Sequence, residues 1–346
     1  MRVASRRVGF ELELVAPNGA DRGSIARAMC PPGGYVIRGF SRHDLSKAAG
    51  TLVLTPAHHV YTKDDEWLAS VVDDLSVHGP VTAVQARSKE PQLLAVDPSV
   101  ARSLELLALG ETLDTALDCW SQQLGLEQRL LDQGDAYVDQ SGRAYALRLP
   151  YSRERTRVAE IVLAPCLRDD AEDRLSGLLE GCRKIGLQAP KDGALHVHLD
   201  AQPWQSTAAL KALILRYHHR REDILGELGI TGEGPYRGNF SSELVVAAAH
   251  ADPSWSFEVT REWFLSFGPS KAIDVNLMGV LGVDDAPPTL ELRMLPATVD
   301  TEWAWPRVEA LTELFEAFTC DWPQEPATHL HGVVRGAQHG QPDTHR

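Results

Sequence analysis

Apolar and acidic residues alternate with period two from Val8 to Val15, so Phe10, Leu12 and Leu14 share one face while Glu11 and Glu13 share the other. That is the pattern of a strand buried on one side, and Pro17-Asn18-Gly19 ends it. The alternation returns in VAEIVL (158–163, expected to stop at Pro165), ALHVHLD (194–200), AIDVNLM within a strand predicted over 272–280, and TLELRML (289–295). Between these strands the spacing changes to three and four, which predicts helices over about 21–29, 171–185, 206–228 and 300–318. Ser206 or Thr207 caps the long helix and Gly229 stops it. Residues 98–133 carry Leu104, Leu107, Leu113, Leu117, Trp120, Leu124 and Leu130 at helical spacing, a helical segment or pair. Residues 35–97 show no sustained period, apart from short strands expected at 51–54 and 81–85.

The polar faces of these strands differ from ordinary wet faces. They present Glu11 and Glu13, Glu160, His196, His198 and Asp200, Asp274 and Asn276, then Glu291 and Arg293. A solvent face mixes Lys, Thr, Ser and Glu, but this set holds no Lys and no Thr. So many carboxylates on one wall repel one another unless cations sit among them. Oxygen-rich donors with a few imidazoles suit a hard ion, Mg²⁺ or Mn²⁺. The HxH pair also occurs in zinc hydrolases, which keeps zinc open while leaving the ExE strand unexplained.

Composition narrows the class further. Across 346 residues the formal net charge is −14 and no basic cluster is sustained, which argues against a nucleic-acid partner. The hydrophobic fraction of 43% fills a substantial core. No stretch reaches the roughly 20 apolar residues a membrane helix needs, and two glutamates interrupt the apolar run near the N-terminus, unlike a signal peptide. The five cysteines are scattered without a CxxC pair, so they read as reduced core fillers. A cytoplasmic protein is expected. From about residue 324 the chain turns rich in His, Pro, Gly and Gln and reads as a disordered tail.

GFELEL, AEIVLAP before a helix, GALHVHLD after it, DVNLMG, and TLELRMLPAT before a Trp-containing helix occur in that order. In this the chain resembles the amidoligases, carboxylate-amine ligases similar to glutamine synthetase and the glutamate-cysteine ligases. The likeness covers residues 8–16 and 158–318; between 35 and 150 only Asp139 suggests a match. The resemblance implies an α+β fold, a curved, largely antiparallel sheet whose concave polar face holds ATP and divalent ions, with helices packed on the other face. It implies one catalytic domain over 1–323 with a partly helical insertion around 35–150. By position it makes Glu11, Glu13, Glu160, His196 and Glu291 metal ligands, and His198 and Arg293 phosphate-contacting groups. Gly193 stands three residues before His196 where the family commonly has it two before. Lys271-Ala272 stands where relatives often carry an aromatic, close to Asn276.

The implied activity is amide formation from a small-molecule or peptide carboxylate and an amine, with ATP supplying an acyl-phosphate leaving group. Arg293 is the first candidate for a guanidinium on the transferring phosphoryl, with His198, Asn276 and Lys271 as further nucleotide contacts. Arg237, in GPYRGNF, is the candidate for the substrate carboxylate; this glycine-rich stretch lacks the P-loop pattern. A phosphotransferase of similar fold and a metal-dependent hydrolase using the HxH pair are the alternatives. His58-His59 and His218-His219-Arg220-Arg221 read as solvated surface, and Trp303 and Trp305 as packing residues.

Overall fold

The computed structural model describes residues 6–16, 20–44, 52–72, 92–95, 98–132, 134–149, 158–230, 238–283 and 286–319. Along the chain these form β1 (Arg7–Val15), α1 (Arg22–Met29), β2 (Tyr35–Asp44), β3 (Leu52–Tyr61), β4 (Trp67–Val72) and β5 (Gln92–Ala95). Next come α2 (Pro98–Leu107), α3 (Leu113–Leu124), β6 (Glu127–Leu131), β7 (Gly134–Val138), β8 (Ala144–Leu149) and β9 (Val158–Leu167). The last part holds α4 (Ala171–Lys184), β10 (Ala194–Asp200), α5 (Thr207–Glu227), α6 (Ser242–His250), α7 (Phe257–Leu265), β11 (Val275–Asn276), β12 (Thr289–Pro296) and α8 (Thr301–Ala317).

The strands make one unclosed antiparallel sheet of mixed α/β character, in the order β11-β12-β10-β1-β9-β4-β3-β5-β8-β7-β6, with β2 also paired to β3. Strand β3 is a fork. Its C-terminal half pairs β4, its N-terminal half pairs β5, and its whole length pairs β2. Two cores follow from the fork. The larger lies on the apolar face of the strands around β1, where Phe10, Leu12, Leu14, Ile161, Leu195, Val197, Leu290 and Leu292 meet the helices through Leu179, Leu213, Phe264 and Phe315. Each of these side chains, fully removed from water, contributes about 1.5–3 kcal/mol. The smaller joins Phe40, Leu54 and Leu93 to Leu104, Leu117 and Trp120 of α2 and α3. Region 35–150 therefore has a core of its own, half strand and half helix. Among the described residues no helix is long and apolar enough to cross a membrane.

Several boundaries differ from the sequence-based expectation. Strand β9 runs through Pro165 to Leu167, because the register shifts between Val8 and Phe10 of β1 and a shifted rung does not need the missing N–H. Leu130 lies in β6, exposed, where its helical spacing ends with the left-handed Gly125 that caps α3. The strand expected over 272–280 shrinks to β11. Helices α6 and α7 were not anticipated, although Ser241 and Ser256 cap them by accepting from Leu244 N (3.2 Å) and Val259 N (3.4 Å). The expected strand at 81–85 and the tail from 324 lie outside the described residues.

Candidate metal centre

Four neighbouring strands, β12, β10, β1 and β9, carry the polar residues, and their register decides which ones meet. Glu11 stands opposite His196 on β10, and Glu13 opposite Glu160 on β9. His198 stands opposite Glu291 on β12, which in turn faces Asn276 on β11. Paired residues of an antiparallel ladder point the same way, so all of these share the face opposite the helices.

The side chains converge closely. Glu11 holds two imidazoles at once, with Oε2 3.2 Å from His196 Nδ1 and Oε1 3.2 Å from His198 Nε2. His196 Nδ1 is also 3.2 Å from Glu291 Oε1, and its Nε2 is 3.6 Å from Glu13 Oε1. Glu291 accepts from Asn276 Nδ2 at 2.6 Å and from Arg293 Nη1. Thr289 Oγ1 lies 2.9 Å from His198 Nδ1. The other Glu13 oxygen accepts from Ala194 N at 2.7 Å, tying the start of β10 to β1. Gly193 makes that approach feasible. A Cβ there would lie 2.9 Å from Glu13 O and 2.7 Å from Pro190 Cγ, so the glycine is needed where it stands.

The wall is not the open face expected. Glu13, His196 and Glu291 are buried, at 2%, 3% and 7% exposure, and only Glu11 and Arg293 of the inner group keep partial exposure. Burial makes electrostatics decisive. For His198, burial favours the neutral ring, but the Glu11 carboxylate outweighs it and pushes the imidazole up to about 9. Burial would raise Glu11, yet His198 and then His196 hold it well below the usual carboxylate range. Glu291 is likewise lowered against its burial, first by Arg293 and then by the two histidines.

Two observations test whether the group fits a cation. Glu11, Glu13 and Glu291 face the guanidinium of Arg293 and a His198 ring that Glu11 keeps protonated, so a cation entering the group would take the place of that proton. The Nε2 atoms of His196 and His198 are buried among these carboxylates without a well-formed hydrogen bond. Glu11, His198 and Glu291 each offer a donor atom, all within 4.8 Å of one another. The donor set fits a metal. His198, expected at the phosphates, stands with Glu11 and Glu291 in the group whose donor atoms could share an ion, while His196 is wedged between Glu11, Glu13 and Glu291.

The remaining candidates are placed as follows. Glu160 is half-buried beside Glu13, and Asn276 supports Glu291. Lys271 falls in the bend leading into β11, half-exposed. Arg237 lies outside the described residues. Asp274, expected beside Asn276 on the polar face, is instead fully buried toward α5, accepting from Tyr217 Oη (2.6 Å), Arg221 Nε (2.6 Å) and Gly238 N (3.0 Å). Arg221 is thus no solvated residue, although His218 and His219 are exposed. Asp139 closes the β7–β8 turn by accepting from Ser141 N (2.8 Å) and Arg143 N (3.0 Å), far from any ligand role. His58 and His59 are half-buried and not surface residues. Thr289 escaped notice, though it shares a strand face with Glu291 at i, i+2 and was readable from that.

No family model, no curated protein and no solved structure matches this chain.

Proposed function

We propose that the chain is an ATP- and divalent-cation-dependent carboxylate-amine ligase with a glutamine synthetase-like catalytic fold. The observation that supports it most is the convergence of three carboxylates, two imidazoles and one guanidinium across β1, β10 and β12. The order of motifs along the chain, from GFELEL to TLELRMLPAT, supplies the rest.

Glu11, Glu13, His198 and Glu291 would hold the first ion, with Glu160 and His196 completing the set toward β9. An ion held by these residues, Mg²⁺ or Mn²⁺, would supply positive charge against the charge that develops in phosphoryl transfer to a carboxylate. Arg293 is the group to meet that phosphoryl. Its partner Glu291 fixes the guanidinium, and its partial exposure leaves donors free to turn outward. Thr289 orients His198, and Asn276 orients Glu291. Arg237 and Lys271 are the candidates for the substrate carboxylate and the nucleotide. The substrates are a small-molecule or peptide carboxylate and an amine.

ADP release in the presence of Mg²⁺ and panels of amino acids and short peptides tests the reading. A ligase releases ADP only when an acid and an amine are both present, and Glu291→Gln or Arg293→Ala lowers that rate by roughly two to three orders of magnitude. Release that ignores the amine would make the chain a phosphotransferase. The buried Nε2 pair favours one second reading, a metal-dependent hydrolase using His196 and His198. Hydrolysis of amide or ester panels with Zn²⁺ or Mn²⁺, without ATP, would replace the ligase with that activity.

A further inference from the structure

The sheet leaves three edges among the described residues, and two of them are blunted. Strand β11 is only two residues long, and β2 gives the carbonyl of Arg38 to Gly110 N at 2.8 Å. Strand β6 is different. It pairs β7 over five rungs without a register shift, holds no proline or lysine, and has all five of its residues exposed. A straight open edge is a template for another strand unless charge or shape spoils it. Leucines flank this one. Leu130 and Leu131 are 86% and 54% exposed, and Leu124, one helical turn beyond the buried Trp120 on α3, is 57% exposed. Leu130 shares a rung with Asp135, Arg148 and Leu93, and Arg148 reaches Asp114 of α3 at 2.7 Å. The smaller core therefore runs out along the helix side of the sheet to β6, where Leu126 is half-buried against it and Leu130 stands in water.

We infer that β6 pairs with the β6 of a second copy of this chain, continuing the sheet across a two-fold axis. The order of residues in the strand selects this occupant. A two-fold axis normal to an antiparallel pair sets one residue opposite its own copy, because paired residues point to the same face. With the axis at Gln128, Glu127 stands opposite the partner's Arg129, and Leu130 stands opposite the partner's Leu126. Glu127 and Arg129 already share a face and lie 3.6 Å apart within one chain, so the pairing joins two such ion pairs into a group of four alternating charges. On the other face each Leu130 lands at the rim of the smaller core, beside the partner's Leu126 and next to the helix end that carries the partner's Leu124. An axis at Arg129 would instead oppose two guanidiniums, and an axis at Leu130 would set Arg129 against the partner's Leu131. One register alone matches charge to opposite charge and leucine to leucine, as a self-complementary surface must. Each chain uses its open edge in the contact, so association stops at two.

A short ladder with a few leucines belongs to the small, weak class of interface, so the full chain is followed by sedimentation velocity over about 1–200 μM, where a reversible monomer–dimer equilibrium is expected. Leu130→Lys, at a position already in water, should weaken dimerisation about tenfold or more and leave the melting temperature of the monomer unchanged. The register is tested by charge. Glu127 and Arg129 are 65% and 51% exposed, so neither can be expected to hold the fold. Arg129→Glu and Glu127→Arg should each dissociate the dimer, because each variant sets like charges opposite one another across the axis. Mixed in equal amounts, the two variants bring only opposite charges together, and a heterodimer should restore the doubled mass. Side chains that act only within their own chain would give no such rescue. A chain that stays monomeric over the whole range, a dimer indifferent to Leu130→Lys, or two variants that remain apart when mixed overturns the inference.

Discussion

Two buried polar clusters lie on opposite sides of β11, and they are built on different logic. Around Asp274, one carboxylate meets one guanidinium, a tyrosine hydroxyl and a backbone N–H, and charge and hydrogen bonds close together. Around Glu11, three carboxylates meet one guanidinium, and two imidazoles are caught between them with Nε2 atoms that make no proper hydrogen bond. The first cluster is complete as it stands. The second keeps buried ring nitrogens unsatisfied, in the place a cation would take. Satisfaction of buried polar atoms separates a polar group that holds a fold from one that awaits a ligand.

The sharpest way to break this contrast is to remove one carboxylate from each side. Asp274→Asn leaves Arg221 facing a neutral amide and breaks a buried pair, so stability should fall by about 3 kcal/mol or more. Chemical denaturation measures it. The carbonyl of Asp274 also accepts from Arg293 N at 2.8 Å, so the variant loosens the strand that carries Glu291 and Arg293 as well. Glu11→Gln should differ chiefly in its response to ions. Without divalent ions it removes the carboxylate that keeps His198 protonated, so stability falls, but by less than in Asp274→Asn because the imidazole can shed its proton where a guanidinium cannot. The parent, in turn, should gain roughly 2.7 kcal/mol at a Mg²⁺ or Mn²⁺ concentration 100 times the dissociation constant, a gain that Glu11→Gln abolishes and a chelator reverses. Equal loss of stability in both variants would make the Glu11 cluster another structural hub.

The sequence made much of the second cluster legible and almost none of the first. Alternation with period two places Glu11 and Glu13, His196 and His198, and Glu291 and Arg293 on single faces, because a strand's geometry is local. Which residue meets which is not local. The register shift between β10 and β12 near Val197 aligns His198 with Glu291, and nothing periodic announces it. Period two also misplaced Asp274 beside Asn276. The pairing there lasts two residues, and partners from α5, far away in the chain, claim the carboxylate. Residues 35–97 resisted reading for a related reason. Strands β2 and β3 pair along their full length while holding Arg38, Pro56, His58 and His59, which hide the alternation, and β3 serves two cores at once.

A subtler test asks whether the unsatisfied cluster is tuned for an ion or only strained. Thr289 lies 2.9 Å from His198 Nδ1, and when its hydroxyl accepts from that nitrogen, Nε2 keeps the lone pair a metal needs, aimed toward Glu11. Thr289→Val keeps the shape and removes the acceptor. A structural cluster would register this as a small loss of stability and nothing else. A metal centre would instead weaken its grip on the ion about tenfold, because supporting partners of ligating histidines are worth about 10–100-fold in affinity. Isothermal titration with Mn²⁺ reads the difference, and Thr289→Ser, which restores the hydroxyl, should recover most of the affinity. An unchanged Mn²⁺ affinity in Thr289→Val would place His198 outside the ligand set and leave Glu11, Glu13 and Glu291 to hold the ion with His196.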